Sequence, residues 1–210
     1  MRIRNFVAIV VLMMLAGCSG GDGQGGGAAT PKQALASYAS ALEQGKLEAV
    51  KACLATDTDA QREFNAALTD MLAATQKLQA AARQKFNKDD AKQLTVSGGA
   101  DKDSLRRFQD GEEKIEGTSA KLTSSTGTTM EFVKSGADWK IVPQAPGGGT
   151  LESATASLRK VASALDDIAG GISDGTIKDV ATARATLARK AFVAAAPLAP
   201  ATNPATSPIQ

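Results

Sequence analysis

The spacing of apolar residues changes twice along this chain, and that limits it to a mixed fold. Up to about residue 87 apolar side chains recur every three or four positions, as one face of an α-helix requires. Over residues 112–142 the recurrence shortens toward alternation, the period of a strand with one covered face. From Leu151 the three-four spacing returns. The order predicts an α+β fold: N-terminal helices packed on a small antiparallel β-meander of about four strands, followed by a C-terminal antiparallel helical hairpin.

The punctuation agrees with the periods. Thr30-Pro31-Lys32-Gln33 opens a first helix, with Thr30 as cap, Pro31 at the first helical position and Gln33 closing a capping box. Leu35, Tyr38 and Leu42 form its stripe, and Gly45 ends it. Leu47, Val50 and Leu54 mark a short second helix, with Cys53 at an apolar position beside Leu54. Thr58-Asp59-Ala60-Gln61 repeats the capping box and starts a long helix carrying Phe64, Leu68, Met71, Leu72, Thr75, Leu78, Ala82 and Phe86, interrupted at Asn87-Lys88-Asp89-Asp90. A weak short helix is expected from Asp103 to Phe108. Strands are expected at 113–116, 120–123, 129–134 and 139–142, with turns at Gly117, Gly127 and Ser135-Gly136-Ala137-Asp138. Met130, Phe132 and either Trp139 or Ile141 share a face, and Trp139 is expected to anchor the sheet to the helices.

Pro146-Gly147-Gly148-Gly149 marks a boundary. Leu151, Ala154, Leu158, Val161, Leu165, Ile168 and Ile172 then follow a heptad-like stripe, fitting either a coiled-coil dimer seam or, with more weight, packing within a helical hairpin. Ser173-Asp174-Gly175 turns the chain, and Thr176-x-x-Asp179 caps a last helix with Val180, Ala183, Leu187, Ala191 and Ala194, stopped by Pro197. Pro200, Pro204 and Pro208 make the end a disordered tail. The expected organisation is therefore a leader at 1–17, a tether at 18–29, an α+β domain at 30–145, the hairpin at 146–196 packed on that domain, and the tail at 197–210.

The leader carries the most specific motif. Arg2 and Arg4 give a positive start, and Phe6 to Leu15 is an apolar run too short to span a membrane as a helix. Leu15-Ala16-Gly17-Cys18 follows and resembles, at every position, the lipobox of bacterial lipoproteins. The resemblance implies cleavage between Gly17 and Cys18, acylation of the Cys18 thiol, and a membrane anchor of two or three acyl chains, which is stable where one chain is marginal. Ser19, where Asp commonly signals inner-membrane retention, implies the periplasmic face of the outer membrane in a Gram-negative cell. Residues 19–29 hold six glycines, a flexible tether; a phosphate-cradling loop lacks its Gly-Lys-Ser/Thr ending here.

Removing the leader removes two arginines and no acid, so the formal charge falls from +2 to zero. Such a domain has no general attraction to nucleic acid, and no basic cluster exceeds Arg106-Arg107. The chain contains no His. With Cys18 acylated, Cys53 has no intrachain disulfide partner and reads as a small buried hydrophobe rather than a reactive thiol. No metal site, no cofactor and no catalytic residue is expected. The acid pairs Asp89-Asp90, Glu112-Glu113 and Asp166-Asp167 sit in polar surroundings, and no Gly-x-Ser-x-Gly elbow occurs.

Two stretches carry a looser resemblance. Pro31 to Leu54, with Gly45-Lys46 between its helices, and Phe132 to Val142, with an Asp/Gly turn before Trp139-Lys140-Ile141, are similar to small lipoproteins of the nuclear-transport-factor-2-like (cystatin-like) superfamily. That resemblance implies opening helices packed on a curved antiparallel sheet. Its enzymes use Asp, His and Tyr inside the cone, and here His is absent and Tyr38 falls on a helix stripe, so no catalytic residue carries over. The function expected is a non-enzymatic, lipid-anchored interaction or structural module of the cell envelope. Its partners are the membrane, through Cys18, and an envelope protein. The alternative is a small-molecule or lipid binder with a cavity between sheet and helices.

Overall fold

The computed structural model describes residues 28–94, 107–145 and 149–195. The leader, Cys18, most of the tether, most of the short helix expected at 103–108 and the tail from residue 196 lie outside the described residues. The architecture is α+β in the predicted order. Helices α1 (Pro31–Glu43), α2 (Leu47–Ala52), α3 (Asp59–Lys85) and α4 (Lys88–Gln93) precede strands β1 (Glu112–Glu116), β2 (Ser119–Thr123), β3 (Thr129–Ser135) and β4 (Asp138–Ile141). Helices α5 (Leu151–Asp174) and α6 (Val180–Ala195) follow.

The caps are local chemistry carried out as the residues dictate. Thr58 accepts from the Gln61 N–H while Gln61 Oε1 accepts from the Thr58 N–H, each at 3.2 Å, a complete capping box. At α1, Thr30 accepts from the Gln33 N–H, but Gln33 reaches back one residue further, to the Ala29 N–H. Asn87, read as an interruption, caps a new helix: its Oδ1 takes the N–H groups of both Asp89 and Asp90. The last helix is capped differently from expectation. Asp179 accepts from the Thr182 N–H at 2.7 Å, whereas the Thr176 hydroxyl turns back to Asp174 and the Gly171 carbonyl. Thr176 lies in the turn, and the Asp179 carboxylate sits where the free N–H groups emerge.

The sheet is an antiparallel meander in the order β1-β2-β3-β4. Two of its hairpins close through two-residue turns, Gly117-Thr118 and Gly136-Ala137, with the first residue at φ +63° and +64°. A turn with its first central residue at positive φ is a glycine position, which is why these two glycines punctuate the strands. Register puts Ala120 opposite Phe132, Leu122 opposite Met130, and Phe132 opposite Ile141. Trp139 and Ile141, two apart, share that face, so the sequence alternative between them resolves as both. All but the half-buried Met130 are buried there, in one core with Leu35, Ala39, Leu54, Phe64 and Leu68. The outer face is polar, with Lys121 paired to Glu131 at 3.0 Å.

The heptad-like stripe is intramolecular, as weighted, but its principal partner is not the hairpin. Helix α5 packs mainly on α3 and only secondarily on α6. Ion pairs climb both helices together, Arg159 with Glu63 and Lys77 with Asp166, so α3 and α5 run in the same direction. Their facing seams match. Phe64, Ala67, Met71, Ala74, Leu78 and Ala81 step by three and four, as do Leu158, Leu165, Ile168 and Ile172 with Ala162 and Ala169 filling between them. Alternating alanine with bulky residues brings the backbones close, and such seams favour a shallow crossing of about 20°.

Candidate functional site

The lipobox residues Leu15, Ala16, Gly17 and Cys18 lie outside the described residues; what the fold places is the other end of their tether. Ala28 lies against the core, and its carbonyl accepts from the Trp139 N–H at 3.0 Å. The described chain thus begins beside β4. Nine residues lie between Cys18 and Ala28 in the sequence. Among the described residues no helix is long and apolar enough to cross a membrane.

Cys53 is half-buried at the C-cap of α2 rather than buried inside a helix. The helix ends two residues before the last apolar residue of its pattern, Leu54, because the Cys53 carbonyl is taken by the Ile141 N–H at 2.9 Å and Leu54 enters a bridge with β4. Lys140 reaches the same corner, donating to the Ala52 carbonyl at 2.5 Å. Burial pushes the Cys53 thiol above its ordinary range, and the Lys140 ammonium pulls weakly the other way. Burial likewise pushes the Tyr38 phenol well above its ordinary value, and the neighbouring thiol adds to this. A thiol held protonated is a poor nucleophile.

The sign of these two shifts has a measurable consequence. Both groups are acids that keep their protons longer when folded, so the stability they contribute is complete below the ordinary thiol value of about 8.5. It is lost as pH rises through the raised values of the folded protein. The melting temperature is expected to fall from about pH 8.5 upward, and Tyr38→Phe combined with Cys53→Ala to flatten that decline. A thermal melt series from neutral to alkaline pH checks it; equal slopes in both proteins refute the assignment.

The acid pairs are divided by the fold rather than gathered. Asp166 pairs with Lys77 at 2.9 Å and Asp167 with Lys190. Asp89 pairs with Lys92 at 3.1 Å, and Asp90 accepts from Asn87 Nδ2 at 2.7 Å. Glu112 faces outward while Glu113 turns inward, one residue apart on a strand. Among the described residues no three of His, Cys, Asp and Glu converge as a metal site. Two hollows are bordered mostly by helical residues. One, about 560 Å³, runs between α3 and α5 past Asp70, Lys77, Arg159 and Asp166. The other, about 260 Å³, is bordered by Lys51, Arg62, Asn65 and Thr69. Both are open and edged by charge. The helix-facing side of the sheet, where the alternative reading expects a cavity, is packed with Ala120, Leu122, Phe132, Trp139 and Ile141.

One feature escaped the sequence reading: Ile115, on β1, is 51% exposed, whereas the other large apolar side chains of the sheet are wholly or partly covered. A lone isoleucine between Lys114 and Glu116 was its only signal. In comparison with known proteins, no family model, no curated protein and no solved structure matches this chain.

Proposed function

We propose that this chain is a lipid-anchored protein of the cell envelope, a non-enzymatic interaction or structural module. In a cell with two membranes, Cys18 holds it to the periplasmic face of the outer one. The observation that carries the reading is the complete box Leu15-Ala16-Gly17-Cys18, placed directly after a basic start and an apolar run. The docking of Ala28 on β4 supports it, since the described fold begins ten positions after Cys18. Two further observations support a module over a carrier or an enzyme. The sheet face is filled by its own helices, and two of the acids lining the larger hollow, Asp166 and Asp167, are paired with lysines. The proposed relation to the nuclear-transport-factor-2-like superfamily rests on α1 lying against β4 and β2. The long α3 and the α5–α6 hairpin fall outside the compact form of that fold.

The anchor is tested at one atom. Cys18→Ser is expected to abolish incorporation of labelled fatty acid and to leave the precursor uncleaved or mislocalised. Label retained at the wild-type level in the variant rejects the proposal.

A further inference from the structure

The two edges of the sheet are treated differently. At β4 the edge is closed: the Ala55 N–H donates to the Ile141 carbonyl at 2.8 Å, the Ile141 N–H to Cys53, and the Trp139 N–H to Ala28. At β1 no such closure exists among the described residues; its backbone bonds only to β2. The two-residue turn makes Glu116 and Ser119 the closing hydrogen-bonded pair of the first hairpin. Counting back by twos, Glu112, Lys114 and Glu116 bond inward, so the N–H and C=O groups of Glu113 and Ile115 point to the open edge. The exposed Ile115 side chain stands on the helix-facing side of that same edge, opposite Ala120.

From this juxtaposition we infer that the β1 edge binds the β1 edge of a second copy of this chain, antiparallel about a twofold axis through Ile115, to join two four-stranded sheets into one. Charge selects that register. With the axis at Ile115, the two isoleucines meet, and Lys114 of each copy lies opposite Glu116 of the other. Glu113 then lies opposite the small Gly117. An axis at Lys114 sets lysine against lysine and Glu112 against Glu116; an axis at Glu113 or Glu116 sets two carboxylates together. Directly opposed like charges are unfavourable and opposed unlike charges are favourable. Lys114 and Glu116 are exposed and already 2.7 Å apart within one strand, on the outer face where the cross-copy pairs form. An exposed strand edge with an apolar residue is a template for another strand, and the charges here restrict which strand fits. A five-residue edge covers less surface than the roughly 1,200 Å² of a standard stable interface, so the dimer is weak in dilute solution. The proposed lipid anchor strengthens it by confining both copies to one surface, but the pairing itself does not depend on lipid.

The test is light scattering on the full chain in mild detergent, up to about 1 mM, the effective concentration that tethering supplies. The wild-type mass is expected to rise toward that of a dimer. Ile115→Glu and Lys114→Glu should each weaken association by about tenfold, or 1.4 kcal/mol. Adding Glu116→Lys to Lys114→Glu should restore it, because the exchange recreates the same opposed pairs. These side chains are exposed, and an unchanged circular-dichroism spectrum verifies that each variant folds. A wild-type chain that stays monomeric, or a dimer indifferent to these substitutions, overturns the inference. So does a double variant no better than Lys114→Glu alone. Fatty-acid labelling reads the anchor separately, so either proposal can fail without the other.

Discussion

Replacing Trp139 by alanine is expected to lower stability by about 3–5 kcal/mol, the cost of truncating a large buried aromatic. Trp139 is 4% exposed, on the inward face of β4 beside Ile141, in the core that Leu35 and Ala39 enter from α1. Its own N–H donates to the Ala28 carbonyl, just ahead of α1. Removing the ring leaves a void that the close-packed alanines of α1 are too short to fill. A domain has about 5–15 kcal/mol in total, so the loss is a large fraction. At about 2–4 °C per kcal/mol for a chain of this size, the melting temperature should drop by roughly 6–20 °C. Trp139→Phe keeps most of the contact and should lose much less. As the chain's only tryptophan, it also reports on itself: emission from the wild-type protein should be blue-shifted. Red-shifted, solvent-like emission with an unchanged melt in Trp139→Ala rejects the packing role and points to recognition instead.

Gly111→Ala is the second large effect, through space rather than backbone angle. A Cβ at Gly111 would sit 2.2 Å from the Thr123 carbonyl oxygen and 3.0 Å from that of Arg107. Both are backbone atoms, so neither can swing aside as a side-chain tip would. Thr123 pairs with Glu112, the first residue of β1, and Lys32 from α1 donates to the Gly111 carbonyl at 3.1 Å. One methyl group therefore has to push apart the β1–β2 ladder or break the contact with α1. The expected cost is about 3 kcal/mol, the upper part of the overpacking range. Gly117→Ala makes the contrast. That site has nothing within 4 Å but a φ of +63°, so its cost is the conformational penalty alone, about 1 kcal/mol. Denaturant midpoints for the two variants should differ in that order; a Gly111→Ala protein as stable as Gly117→Ala would refute the packing argument.

The sequence was most legible where a single residue type has a single physical reason to be there. Gly117 and Gly136 marked the turns because their backbone angles exclude most side chains, and Thr58 with Gln61 marked a helix start because two hydrogen bonds require that spacing. Tertiary choices were less legible. The stripe from Leu151 to Ile172 announces that it will be buried, but α3 and α6 both offer small apolar surfaces, and periodicity does not say which seam will face it. Thr176 and Asp179 are both capping residues, and only the course of the turn selects Asp179. Cys53 was misplaced because a helical pattern does not reveal that β4 will take its carbonyl. For the site, the lipobox is a linear motif and needs no fold to be read. The open edge at β1 exists only once the order of the strands is known, so Ile115 looked like one apolar residue among charges.

The parallel course of α3 and α5 constrains how the chain reaches this fold. Glu63 and Arg159 stand 96 residues apart, and Lys77 and Asp166 89 apart. Two parallel helices cannot be joined by a tight loop, so the whole sheet and its connections serve as the crossover between them. Closing a loop of that length costs entropy before any seam contact repays it, and contacts this distant in sequence slow folding. Until residues 151–174 are in place, the seam through Met71, Ala74 and Leu78 lacks its main partner helix. During synthesis from the N-terminus, α3 therefore remains an amphipathic helix without its main partner until more than four-fifths of the chain has been made. A nascent chain of this kind depends on being kept from premature association, and the step that ends its vulnerability is the arrival of α5.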